Sequence, residues 1–262
     1  VSYEHLRVER DGNVATIILN RPQSANAIHL QLAHELHQAA ASFDADPEVR
    51  AVVVTGAGRF FSGGGDLKDF ASRVEELPHY LRRVTTYLHA AIACFHRMDA
   101  PVIMAVNGTA AGGGFSLAIA GDLVVARASA KFTMGYSSIG LSPDGTATYF
   151  LPRLVGMRRA QELALTDRLL SADEALQWGL VTTVFPDDVF DERVRELAIR
   201  IAQGPTRAYG KTKRLLASAF GHGLETQAEL ETRSIAALAG SADGPEGIRA
   251  FVEKRPPKFT GR

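Results

Sequence analysis

Asn107-Gly108-Thr109-Ala110-Ala111-Gly112-Gly113-Gly114-Phe115 follows the apolar run Val102 to Val106, and Ser62-Gly63-Gly64-Gly65-Asp66-Leu67 follows a second such run, Ala51 to Thr55. Each pairing of an apolar run with a glycine cluster reads as a strand that ends in a turn where the main chain lies bare. Glycine allows unusual φ and close approach of backbone to a ligand, so two such turns can aim N–H groups at a single oxygen. That is the outline of an oxyanion hole. The other reading of either cluster alone is a glycine-rich connection with no ligand. A helix is predicted to start near Gly113 and to run through Leu117 and Ile119 to about Ala120, with the positive end of its dipole toward the same place.

Outward from these turns, strand-like runs appear at Tyr3 to Val8, Val14 to Leu19 and Leu123 to Ala126. Helical patterns separate them. Ile28 to Phe43 carries Leu30, Ala33, Leu36, Ala40 and Phe43 on one face, and Pro78 to Phe95 carries Leu81, Val84, Leu88, Ile92 and Phe95. Alternation of strand and helix argues for an α/β fold. From Thr148 the periodicity is almost wholly helical. Ser171 and Glu174 read as a capping box, Trp178-Gly179 as a stop, and further helices are predicted near Phe190 to Gln203, Thr206 to Phe220 and Leu224 to Ala239. No low-complexity run sets this helical part off from the α/β core, which argues for a shared unit or a docked helical subdomain rather than a linked second domain.

The chain has 262 residues, 46% hydrophobic and 22% charged, enough to bury a full core. Lys and Arg number 29 and so do Asp and Glu, so no global field argues for nucleic acid or an anionic membrane. The single cysteine, Cys94, sits in an apolar helical run and reads as a packed thiol. No apolar run reaches membrane-spanning length, and Glu4 and Glu9 among the first charges do not fit a signal peptide. A cytoplasmic protein is expected. His5, His29, His34, His37, His79, His96 and His222 do not cluster with Cys or carboxylates at metal-ligand spacing, so no metal is expected.

Asn20-Arg21-Pro22 with Asn26-Ala27, the Gly-Gly-Gly-Asp-Leu turn, Asn107-Gly108 through Gly114, and Phe251-Val252-Glu253-Lys254-Arg255 together resemble the crotonase family, also called the enoyl-CoA hydratase/isomerase superfamily, over nearly the whole chain. The resemblance implies a crotonase-like spiral of ββα units over residues 1–200. A C-terminal helical trimerisation region would occupy 201–262. It further implies homotrimers or dimers of trimers, acyl-CoA thioester substrates with coenzyme A as part of the substrate, and no separate cofactor. The N–H groups of Gly65 and Gly113 would be the oxyanion donors. Gripping a thioester carbonyl there acidifies the neighbouring carbon, and one such donor is typically worth about 3 kcal/mol in the transition state.

Family members differ in the acids and bases around that hole. Hydratases of the family carry two glutamates that hold a water; at those positions this chain has Ser116 and Tyr136, which do not supply a carboxylate pair. Asp144, in Leu141-Ser142-Pro143-Asp144-Gly145, falls where family isomerases acting on dienoyl and ring-epoxide phenylacetyl thioesters place a catalytic aspartate. The residues alone also allow Asp144 to be a helix N-cap. Gly140 to Asp144, Tyr136-Ser137 and the tail Pro257 to Gly261 are similar to the ring-epoxide isomerases, which makes an isomerase the leading expectation.

The 4-chlorobenzoyl-CoA dehalogenases offer an alternative, with an aspartate nucleophile at Asp144, a histidine matching His89 as general base, and Val155 to Ala160 in common. His89 reads equally as a helix histidine at the border of the core. A hydratase, or a thioester binder without catalysis, also stays open. By the same resemblance Arg59, Gly63, Asp66, Leu67, Tyr136 and Lys254 are assigned to substrate binding, with Lys68 beside the adenine-side loop. Asp66 and Asp122 also fit a bracing role at their turns. Phe70, Tyr80, Tyr87, Phe115 and Tyr136 are candidate pocket walls.

Overall fold

The computed structural model describes residues 3–262. A hairpin joins β1 (Leu6–Asp11) to β2 (Val14–Leu19), with Asp11 opposite Val14. After α1 (Leu30–Asp44) the chain repeats one unit: a strand enters a first sheet, a shorter one enters a second sheet, and helix follows. The first turn is β3 (Ala51–Gly56), β4 (Phe60–Ser62), α2 (Leu67–Ala71) and α3 (Leu77–Arg97). The second is β5 (Val102–Val106), β6 (Thr109–Ala111) and α4 (Gly113–Ile119). The third is β7 (Leu123–Arg127), β8 (Lys131–Thr133), α5 (Ala147–Val155) and α6 (Met157–Thr166).

β9 (Leu170–Ser171), α7 (Ala172–Trp178) and β10 (Thr183–Phe185) complete the sheets, in the orders β1-β2-β3-β5-β7-β10 and β4-β6-β8-β9. This is a spiral of ββα units, as the resemblance implied. The helices α8 (Phe190–Ala202), α9 (Thr206–Ser218), α10 (Leu224–Ala239) and α11 (Asp243–Val252) close the chain.

Strand periodicity explains the layers. On β3, β5 and β7, Val52, Val54, Val102, Met104, Val106, Val124 and Ala126 join the main core with α1 and α3. The alternate residues Ala51, Val53, Ile103, Ala105 and Val125 pack with Phe190, Val194, Ala198 and Ala202 of α8. Strands covered on both faces read as unbroken apolar runs, which is why Ala51 to Thr55 and Val102 to Val106 stand out in the sequence. α9 is pinned to the core by Lys213, whose Nζ reaches the carbonyls of Phe95 at 3.0 Å and Ala100 at 3.2 Å and pairs with Asp122 at 2.6 Å. By contrast α10 buries none of its residues against its own chain.

The first strand begins later than expected, at Leu6 instead of Tyr3, because only Leu6 of β1 is buried and the exposed remainder carries no readable alternation. The strands of the second sheet carry no readable signal in the sequence, because segments of two or three residues are too short to show a period. Ser171 and Glu174 do form a capping box, and α7 stops at Gly179. Cys94 is a buried thiol, and burial pushes its pKa up. Among the described residues no helix is long and apolar enough to cross a membrane.

Candidate active site

The two glycine turns touch. Gly64 has φ +92°, and a Cβ built on it would lie 2.7 Å from the Ala111 carbonyl oxygen and 3.2 Å from Gly112 Cα, so a side chain is excluded by conformation and by space. The first turn is also tied to the residues before α1: Ile28 N donates to Gly64 O at 2.6 Å and Asp66 N to Ile28 O at 3.0 Å. In that parallel bridge Ile28 pairs with the residues on either side of Gly65, which turns the Gly65 N–H away from it. Gly113 opens α4, where a first-turn N–H has no partner within the helix. Among the described residues neither N–H donates to a protein acceptor.

Both glycines line a cavity of about 250 Å³. Its apolar wall includes Ile28, Phe70, Leu81, Val84 and Leu88, and its far side is the loop that carries Tyr136, Ile139, Leu141 and Asp144. Asp144 faces the glycine turn: a Cβ built on Gly113 would be 3.8 Å from Asp144 Oδ1. The helix-cap alternative fails here. α5 is capped at Thr146 without a side-chain hydrogen bond, and it is the backbone oxygen of Asp144, at 3.1 Å, that receives the Ala147 N–H.

Tyr136 donates its phenolic hydrogen to Asp144 Oδ1 in a short hydrogen bond, and its oxygen lies 3.0 Å from Ser116 Oγ. Burial, and after it the negative charge of Asp144, push the Tyr136 phenol far above its ordinary value. It therefore stays protonated and acts as a donor. The two positions expected from the resemblance to hold a hydrating water are instead hydrogen-bonded to each other, and Ser116 is fully buried.

Other expected residues separate. Gly63 and Leu67 line the cavity mouth. Asp66 does not: it caps α2 through the Asp69 N–H and pairs with Arg21 at 2.9 Å. Burial raises the Asp66 carboxyl, but the hydrogen bonds from Arg21 and the Asp69 N–H outweigh it and leave the carboxyl below its ordinary value. Asp122 likewise braces, accepting the Val102 N–H at 2.8 Å. Arg59, Lys68 and Lys254 are exposed and do not line the cavity of their own chain.

His89 lies apart from the other expected catalytic residues. Its side chain is exposed, it is absent from the cavity wall, and its Nε2 accepts the Gly145 N–H at 3.0 Å. Of the aromatic candidates Phe70 and Tyr136 line the cavity. Phe115 is instead fully buried in the core, Tyr80 bonds to Asp69, and Tyr87 meets the His34 ring edge to face. Sequence reading missed Ile28, Val84 and Leu88 as walls, because core-facing and cavity-facing positions on α3 share one apolar stripe.

An α/β spiral of this topology, with two facing glycine turns beside a carboxylate, is the arrangement of the crotonase class. The chain matches the enoyl-CoA hydratase/isomerase family over residues 9–262 and belongs to that family. It is 42% identical, over the whole of both chains, to a probable enoyl-CoA hydratase of Rhodobacter capsulatus. Identity to the 1,2-epoxyphenylacetyl-CoA isomerase of Escherichia coli is 39% over 95% of each chain. Identity to a 4-chlorobenzoyl coenzyme A dehalogenase of an Arthrobacter species is 37%, covering 97% of this chain and 92% of that one. The crystal structure of an enoyl-CoA hydratase from Bacillus anthracis superposes with a TM-score of 0.92 at 32% identity, covering 99% of this chain and 100% of that one.

Proposed function

We propose that this protein is an acyl-CoA isomerase in which the Gly65 and Gly113 N–H groups polarise the thioester carbonyl and Asp144 moves the proton. The observation that carries this reading is the placement of one carboxylate, Asp144, against Gly113 in an apolar cavity whose other polar side chains include Tyr136, the donor to that carboxylate. Asp144 takes a proton from the carbon next to the carbonyl of a 3-enoyl thioester, the electron pair shifts to give an enolate, and the proton returns two carbons further along. The double bond moves into conjugation and Asp144 is a carboxylate again. Hydration would require two groups to hold and activate water, and Ser116 and Tyr136 are engaged with each other and with Asp144.

A second reading, rearrangement of a ring epoxide in a phenylacetyl thioester by the same groups, is favoured by the relative from Escherichia coli and by the Phe70 and Tyr136 walls. Dehalogenation is less well supported, since the histidine it would use lies outside the cavity. The helical part from residue 201 is the proposed trimerisation region, with Leu224 and Ile235 of α10 and Phe251 of α11 exposed on this chain. Lys254 beyond α11, with Arg59 and Lys68, are the proposed contacts for the nucleotide end of coenzyme A.

Conversion of a 3-enoyl-CoA to the conjugated 2-enoyl isomer, followed by absorbance, tests the reading. Wild-type turnover and a loss of about 100-fold in Asp144→Asn, the scale of general-base removal, are expected. An unchanged rate in Asp144→Asn would overturn it.

A further inference from the structure

We infer that His89 is a positioning residue, which sets the direction of the Asp144 carboxylate through the backbone and transfers no proton itself; the inference rests on Asp144 as the acid–base group. The peptide unit between Asp144 and Gly145 is gripped at both ends. Its carbonyl oxygen receives the Ala147 N–H at 3.1 Å, and its N–H is given to His89 Nε2 at 3.0 Å. A peptide plane fixed on both sides fixes ψ of Asp144, and with it the origin from which the side chain extends. Tyr136 then selects the rotamer by its bond to Oδ1.

Among the described residues no other side chain accepts a backbone N–H of residues 142–145. Gly145 is buried with φ +58°, and a Cβ on it would lie 2.6 Å from Ser116 Cβ, so the backbone passes directly against α4. The start of the loop is held elsewhere, where Asp167 Oδ2 accepts Ser137 Oγ at 2.8 Å and Ser138 N at 2.7 Å. Between those clamps Ile139 and Leu141 are exposed at 43% and 40%, so the intervening loop contributes little burial of its own. The Asp144 end therefore depends on a hydrogen-bond acceptor projecting from α3. Neutral imidazole is such an acceptor through one nitrogen, and that nitrogen is already occupied by Gly145. A general base would need it free and inside the cavity.

Glutamine separates the two roles, because it carries a neutral acceptor at a reach close to that of Nε2 but is no base. His89→Ala, His89→Gln and Asp144→Asn are compared with wild type in the 3-enoyl-CoA assay, together with hydrogen exchange of the Gly145 amide. Expected is a fall in kcat of about tenfold in His89→Ala with KM within about twofold, since a misdirected group costs rate more than binding. Most of the rate should return in His89→Gln, and Gly145 exchange should quicken in the alanine variant and slow again in the glutamine one.

A glutamine variant as slow as the alanine one, with Gly145 protection restored, would make His89 a proton carrier and overturn the inference. Wild-type kcat in His89→Ala would overturn it equally. Full activity in Asp144→Asn is a different failure, that of the base assignment. Should the wild type turn over none of this substrate, Gly145 exchange still reports on His89, and unchanged protection in His89→Ala would sink its positioning role.

Discussion

The glycine wall of the cavity, residues 63–65 and 111–113, meets where two backbones leave no room for a side chain at Gly64, whereas the facing loop, residues 136–145, is held near its ends by side chains far away in sequence. On the first wall the backbones of Gly64 and Gly112 abut. On the second, Asp167 and His89 hold the ends and Tyr136 ties down the carboxylate. At Gly64 the first arrangement is closed to a side chain by sterics; the second is a set of replaceable polar contacts. A backbone wall of this kind can thus be kept while the polar groups opposite it are exchanged.

Substitutions at the two walls should behave differently if this contrast is right. Gly64→Ala carries the largest expected effect, a loss of about 3 kcal/mol in urea denaturation, from a disfavoured φ together with the clash at the Ala111 carbonyl. A loss below about 1 kcal/mol would show that the turn can relax. Gly113→Ala sharpens the comparison from the same wall. Its Cβ would have only ordinary contacts, 3.4 Å to Ile28 Cδ1 and 3.8 Å to Asp144 Oδ1, so stability should stay within about 0.5 kcal/mol. The methyl intrudes where substrate and carboxylate meet, and turnover should drop between about 10-fold and 100-fold.

On the loop wall, Tyr136→Phe should cost about 1–2 kcal/mol, because Asp144 loses a donor in a partly buried site. The same variant tests a pH effect. The Tyr136 phenol has a folded-state pKa raised above its ordinary value of 10.0, so its contribution to stability is complete below about pH 10 and is lost as pH rises beyond that, when the unfolded chain ionises first. The wild type should lose stability more steeply than Tyr136→Phe above pH 10, and parallel curves would remove Tyr136 from the account. Ser116→Ala carries the smallest expected change, about 1 kcal/mol or less, as it removes one hydroxyl contact and leaves the Tyr136–Asp144 bond in place.

The same contrast explains how much was legible beforehand. Buried strands Val14 to Leu19 and Val102 to Val106 appear in the structure with the bounds read from the sequence, and the glycine turns meet where Gly64 leaves no room for a side chain. The loop wall could be read only in part. Asp144 stands out through its motif, but neither the turn of its carboxylate toward Gly113 nor the diversion of His89 to a backbone N–H has a local signature. Gly145 and His89 are 56 positions apart, and nothing in either neighbourhood announces the other. Asp66 and Asp122 were legible as braces because a carboxylate at a turn acts on its nearest N–H groups.

The close passage of Gly145 against Ser116 also limits how this protein could change its reaction. Ser116 Oγ already lies 3.0 Å from the Tyr136 hydroxyl, so a longer acidic side chain at 116 would displace the ring that holds Asp144 and could not be grafted onto α4 without shifting the loop. Position 116 and residues 136–145 therefore form a single exchangeable cassette. A redesign toward water addition would have to transplant the helix position and the loop together, while the glycine turns could be left as they are.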